Sequence, residues 1–110
     1  MATNNNSSVI ELATIKLAEG KSEADLVTAS AAFQRDFLAK QPGVLRRQLV
    51  RKSTGEYLDI VHWRSSADAD AVMQLAQSSP EVGAYFSVMA FDSENPEEGV
   101  EHCSLIAAYE

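Results

Sequence analysis

The sequence predicts one α+β domain of ferredoxin-like topology, in the element order β-α-β-β-α-β, that works as a homodimer. Three observations predict it. Short segments rich in β-branched residues alternate with segments of helical periodicity in that order. A hairpin turn at Ser53-Thr54-Gly55-Glu56 joins the two middle strands, with Gly55 available for positive φ. The strand segments carry apolar residues on both faces, so the sheet needs cover on both sides.

The first strand is expected from Val9 to Leu17. Ile10, Leu12 and Thr14 fall on one parity and Val9, Ala13, Ile15 and Leu17 on the other, interrupted only by Glu11 and Lys16. Gly20-Lys21 breaks the pattern, and Ser22 stands three residues before Asp25, a capping-box spacing with Asp in place of Glu. Leu26, Ser30, Phe33 and Phe37 follow at helical spacing, widened by Val27 and Leu38, which predicts a helix to about Gln41 stopped by Pro42-Gly43. Val44 to Lys52 carries Arg46, Arg47, Arg51 and Lys52, the charge loading of an edge strand.

Tyr57 to Trp63 is the returning strand, with Leu58, Ile60 and His62 on one face and Tyr57, Asp59, Val61 and Trp63 on the other. Ser65 or Ser66 caps the second helix, and Ala69, Val72, Met73 and Ala76 form its apolar stripe. Pro80 opens a shorter helix through Val82, Tyr85 and Phe86. Residues 92 to 99 form an acidic loop, and Val100 to Tyr109 is the last strand. The domain is expected over residues 8 to 110, behind a disordered tail over residues 1 to 7.

The chain has 110 residues, enough for one core, and a formal net charge of -7 from 16 acidic and 9 basic residues. Such a balance repels phosphate backbones and anionic lipid surfaces, so neither nucleic acid nor membrane is an expected partner. The single cysteine, Cys103, cannot form an internal disulfide. The first residues lack the basic and apolar regions of a signal peptide, and no apolar run approaches the ~20 residues of a membrane span. A cytoplasmic protein is the expectation.

The dimer follows from the sheet. A strand with one face in water should alternate apolar and polar residues, and the first and third strands do not. The last strand has no charge between Glu101 and Glu110 apart from His102, and as a bare edge it would invite aggregation. A second copy of the chain over the open face and this edge meets both problems.

Several of these segments together resemble a known family. Gln41-Pro42-Gly43-Val44 closes the first helix, the hairpin turns at Thr54-Gly55, and Tyr57-Leu58-Asp59-Ile60-Val61-His62-Trp63 ends in Trp. A Ser-rich start to helix two and the short helix Pro80 to Phe86 complete the pattern. On these the chain resembles the antibiotic biosynthesis monooxygenase-like group of the dimeric α/β-barrel superfamily, over roughly residues 8 to 110. The resemblance implies two sheets facing each other across a dimer, a small pocket between sheet and helices, and activities that include cofactor-free oxidation of aromatic polyketides, quinol oxidation and haem degradation. Haem-degrading members place a His on helix two near the position of Met73 and an Asn in the first strand; both are missing here, which disfavours haem. Of the Asn, Trp, Tyr and Arg that polyketide-oxidising members gather in one pocket, Trp63 matches by position.

The function expected is therefore a cofactor-independent monooxygenase or oxidoreductase for a small planar aromatic or quinol-type substrate. The alternative is a non-catalytic homodimeric protein that binds a small ligand or serves in stress. Trp63, Asp59, Tyr57 and His62 are the candidate catalytic residues, and Trp63, Phe33, Phe37, Met73, Tyr85 and Phe86 the candidate ligand-binding ones. Trp63 either walls an aromatic pocket, with its N–H as donor, or packs as a core residue on Phe33 and Phe37. Asp59 is the odd residue of an apolar strand. It is either a base beside Trp63 or the partner of Arg47 across the hairpin. His62 faces the other side of the sheet, as a proton shuttle or a structural His. Cys103 and His102 are strand neighbours on opposite faces, so no Cys-His nucleophile is expected. Two His without a carboxylate at helical offset make no metal motif, and no cofactor is implied.

Overall fold

The computed structural model describes residues 8–90 and 99–109, so the expected N-terminal tail and the acidic loop before Gly99 lie outside the described residues. The strands are β1 (Val9–Ile15), β2 (Val44–Arg51), β3 (Tyr57–Trp63) and β4 (Val100–Ser104). The helices are α1 (Glu23–Asp36), α2 (Ser66–Ala76) and α3 (Pro80–Phe86), with a 3-10 turn at Leu38–Lys40. The four strands form one antiparallel sheet in the order β2-β3-β1-β4, which is the ferredoxin-like arrangement.

Each helix start is explained locally. The Ser22 hydroxyl accepts from Asp25 N at 3.2 Å, and the Asp25 carboxylate accepts from Ser22 N at 2.9 Å, closing the capping box. Ser65 caps α2, accepting from Asp68 N at 3.1 Å. Three boundaries differ from the sequence expectation. The α-helical part of α1 stops at Asp36 rather than near Gln41, because Phe37 leaves helical geometry (φ -128°, ψ -65°) and the chain tightens into the 3-10 turn. That change of pitch buries both Phe37 and Leu38. β1 ends at Ile15, and Leu17 instead bridges Met89 after α3. β4 ends at Ser104 rather than Tyr109 because Ser104 pairs opposite Val9, the first residue of β1, and beyond it the ladder closes with Leu105 N donating to Ser8 O at 3.0 Å.

Strand alternation sorts the sheet into two faces. Val9, Glu11, Ala13 and Ile15 lie beside Trp63, Val61, Asp59 and Tyr57 on the helix side. Ile10, Leu12 and Thr14 lie beside His62, Ile60 and Leu58 on the other side, with Arg46, Gln48 and Val50 at one flank and Cys103 and Glu101 at the other. A bulge between Val44 and Arg46 leaves Leu45 outside the ladder and exposed.

The core between sheet and helices has two lobes. One gathers Phe37, Leu38, Val61, Trp63, Ala69, Val72 and Val82; the other gathers Ile15, Leu26, Tyr85 and Val88; Phe33 packs against both. Gly43 is pressed between them and α2: a Cβ there would sit 2.4 Å from Asp68 Cβ, and its carbonyl accepts from Arg64 N at 2.7 Å. This close approach seats the start of α2 beside the end of β3, where Trp63 stands.

Candidate functional site

β3 delivers three of the four candidate catalytic residues to the helix side, but not to one place. Trp63 and Tyr57 lie at opposite ends of the strand, roughly 20 Å apart at about 3.3 Å per residue. Tyr57 packs in the second core lobe, and burial together with a hydrogen bond to Glu23 holds its phenol above its usual range. His62 lies on the open face. Desolvation, and then the positive charge of Arg46 opposite it, hold its imidazole below the usual range.

Trp63 is 3% exposed and packs in the first lobe. Among the described residues its Nε1–H is buried without a hydrogen-bond partner. A buried unsatisfied donor costs roughly 1–3 kcal/mol. Such groups call for a specific reason, a missing water or ligand among them.

Asp59 sits between Trp63 and Tyr57, fully engaged. Arg47 Nε donates to Oδ1 and Nη2 to Oδ2, both at 2.9 Å, and the two side chains are only 6% and 8% exposed. The Tyr85 hydroxyl donates to Asp59 Oδ2 at 2.9 Å, and Arg47 also reaches the Tyr85 hydroxyl at 2.9 Å and the Ser30 carbonyl at 3.2 Å. The guanidinium lies over the rings of Phe33 and Tyr85, 5.2 and 5.3 Å from their centroids. Burial, and then the Asp59 charge, push the Tyr85 phenol far above its ordinary value. The pairing of Asp59 with Arg47 is the one the sequence suggested. The closing role of Tyr85, from α3, was legible only as an aromatic in a short helix.

Of the candidate ligand-lining residues, Trp63, Phe33, Phe37 and Tyr85 converge. Phe33 stacks on Phe37 at 5.6 Å and on Tyr85 at 4.5 Å. Met73 is 47% exposed, and Phe86, though it packs on Tyr85 at 6.4 Å, also turns toward solvent. These two do not join the group, because the face of α2 that enters the core carries Ala69 and Val72 and that of α3 carries Val82 and Tyr85.

Two open cavities flank this layer. One, of about 280 Å3, lies between α1 and α3 and is lined by Phe33, Asp36, Glu81 and Tyr85 among others. The other, of about 330 Å3, lies between β4 and α2, where Val9, Ser66, Ala69, Asp70 and His102 form its walls. Val9 is the residue opposite Trp63 in the sheet, and Ala69 packs in the same lobe as Trp63. At this wall His102 Nε2 stands 3.1 Å from Glu11 Oε1. Sequence reasoning did not bring these two together; the available signal was Glu11, the one carboxylate in the first strand. Among the described residues no three His, Cys, Asp or Glu side chains gather as a metal site requires. No described helix is long and apolar enough to cross a membrane.

The sequence profile of the antibiotic biosynthesis monooxygenase family matches residues 8–88. The chain belongs to that family. SnoaB, a cofactor-independent oxygenase from Streptomyces nogalater, superimposes on this monooxygenase-family chain with a TM-score of 0.64 at 17% identity, over 94% of this chain and 96% of that one. A candidate antibiotic biosynthesis monooxygenase from Bordetella bronchiseptica gives a TM-score of 0.70 at 19% identity, over 91% and 98% of the two chains. A Shewanella oneidensis protein gives 0.64 at 19% identity, over 98% and 100%. These identities establish a shared fold. No curated protein matches the sequence of this family member.

Proposed function

We propose that the protein is a cytoplasmic homodimer that oxidises a small planar, electron-rich aromatic or quinol-type substrate with molecular oxygen and no cofactor. The observation that carries this reading is the Nε1–H of Trp63, buried without a partner among the described residues in the lobe whose members Val9 and Ala69 also line a cavity of about 330 Å3. That volume is within the range of small-ligand sites, ~300–1,000 Å3. The N–H is a ready donor for a carbonyl or phenolate oxygen. Family membership and the likeness to SnoaB support the chemistry.

The reaction needs little from the protein. A substrate methylene flanked by aromatic rings loses two hydrogens and gains one oxygen of O2 as a carbonyl, and the other oxygen leaves as water. A hydroquinone instead gives the quinone and hydrogen peroxide. In both cases the substrate anion is the electron donor, so the protein binds it, accepts its proton and limits water. A hydrogen bond from Trp63 to the anionic oxygen supports the form that reacts. The dimer is supported by the open face, where Ile10, Leu12, Leu58 and Ile60 form an apolar centre.

One observation favours the second reading, a binding protein without turnover. Asp59 is held by Arg47 and Tyr85, with three of the roughly four acceptor sites of its carboxylate taken. Trp63→Phe separates the two. It keeps an aromatic ring and removes the N–H. Oxygen uptake with an anthrone as substrate is expected to fall roughly 10- to 100-fold, the value of one hydrogen bond to a charged group, with the far-UV spectrum unchanged. No uptake by the parent protein with anthrones or hydroquinones sinks the enzymatic reading; equal uptake by parent and variant sinks the role of Trp63.

A further inference from the structure

Glu11 occupies the middle of β1, the strand that β3 and β4 enclose on both sides. Its neighbours across the sheet are Val61 and His102, and its side chain is only 15% exposed. A carboxylate there is costly unless it is hydrogen-bonded. The partner it has among the described residues is His102, at 3.1 Å. The imidazole itself is 51% exposed and forms part of the cavity wall between β4 and α2, facing Ser66 and Asp70. An ionised carboxylate can only accept, so in the neutral imidazole that donates to it Nε2 carries the proton and Nδ1 is the acceptor nitrogen. The result is an oriented base on the wall of a cavity two of whose other lining residues, Val9 and Ala69, belong to the lobe that holds Trp63.

The geometry points to His102 as the catalytic base of the oxygenation and Glu11 as its positioning residue, acting on the acidic O–H or C–H of a planar phenol or enol bound in this cavity. The inference rests on the reading proposed above. The proton leaves the substrate and bonds to His102 Nδ1, giving an imidazolium whose charge Glu11 balances. The substrate carbanion adds O2 at carbon, the resulting peroxide takes up that proton, and loss of the second hydrogen from the same carbon breaks the O–O bond, leaving a carbonyl and water. Asp59 is then not needed as a base, which removes the difficulty its pairing with Arg47 raised. The titratable groups at this cavity on the His102 side of the sheet are Glu11 from β1 and Asp70 from α2; Cys103, its strand neighbour, also lines the cavity but belongs to the other face.

Two measurements on the full-length protein test this. The first is oxygen uptake with the anthrone across pH. In His102→Ala the rate is expected to fall about 100-fold or more, the usual contribution of a general base. Added imidazole should restore part of it, and Glu11→Gln should lower kcat more than it changes KM, because the imidazole is no longer held in one orientation. The second is absorbance titration with 4-nitrophenol, a planar phenol that ionises near neutrality and colours on doing so. The parent protein should raise the phenolate fraction of the bound dye, and His102→Ala should bind it without that rise. An oxygen-uptake profile unchanged in His102→Ala overturns the base assignment while leaving the oxygenase reading intact. If the parent consumes no oxygen, the oxygenase reading fails, and the dye decides the pair alone. Phenolate enrichment that persists in His102→Ala, or no binding of the dye by the parent, overturns it.

Discussion

Replacing Arg47 with Met should reveal how much of the fold hangs on one charged group. The guanidinium makes two 2.9 Å hydrogen bonds to Asp59, one to the Tyr85 hydroxyl and one to the Ser30 carbonyl, and packs on two aromatic rings. Met fills much of the same volume but leaves the Asp59 carboxylate, 8% exposed, with the Tyr85 hydroxyl still donating to it and its charge uncompensated. Breaking a buried pair on one side costs about 3–5 kcal/mol, chiefly because a charge is left uncompensated. For a domain near this size, 1 kcal/mol moves the melting temperature by roughly 4–8 °C, so a fall of roughly 15–30 °C is expected. The assay is urea and thermal unfolding followed by circular dichroism, at one protomer concentration for all variants. The triple variant Arg47→Met, Asp59→Leu, Tyr85→Phe removes every member of the polar group together. It should return to within about 2 kcal/mol of the parent, because replacing a whole buried ion pair by apolar residues is often nearly neutral. A single variant that loses less than about 1 kcal/mol would refute the reasoning. So would a triple variant no more stable than the single one.

Two further outcomes follow from the titrating groups. The Tyr85 phenol is raised in the folded state, so its contribution is whole below its unfolded value of about 10 and is lost as pH climbs through the folded one. Urea midpoints should fall above pH ~10 by up to ~1.4 kcal/mol per pH unit, and Tyr85→Phe should flatten that fall. The His62 imidazole is lowered, so the stability it lends is present above its ordinary value of about 6.5 and is lost as pH falls through the lowered one. With His62 on the open face, sedimentation velocity should show a dimer at pH 7.5 that dissociates more readily at pH 5. His62→Gln should remove that dependence, Leu12→Lys should give a monomer at both pH values, and a parent protein monomeric at pH 7.5 refutes the covered-face argument.

The fold was legible because its signals are local and mutually consistent. The Ser22 cap, the Gly55 turn, the alternation through Tyr57–Trp63 and Pro80 at the start of α3 each act within a few residues. The boundaries that moved depend on distant partners. β4 could not be seen to stop at Ser104 without knowing that β1 begins at Val9. Strand parity put Asp59 and Trp63 on one face of β3 and His62 on the other, as the sheet register has them. Parity does not say which helix residue meets each of them. Tyr85 reaching Asp59 and His102 reaching Glu11 are contacts over 26 and 91 positions, and no periodicity in the chain encodes them. Met73 shows the opposite failure: its spacing fits the apolar stripe, yet α2 is seated by Ala69, Val72 and Ala76 while Met73 is 47% exposed.

The order in which the strands lie in the sheet also sets the order in which they can be joined. β2 and β3 meet across a short turn, with Arg47 and Asp59 only 12 positions apart, whereas Glu11 waits for His102 at 91. Closing a long loop costs entropy before its contacts return anything, so the hairpin is the early structure and the enclosure of β1 is slow. On a ribosome β1 is the first strand of the sheet to emerge and β4 the last. Throughout that interval one edge of β1, with Ile10 and Leu12 along it, stands unpaired. Nascent-chain capture by a general chaperone should therefore concentrate on the period before β4 is synthesised.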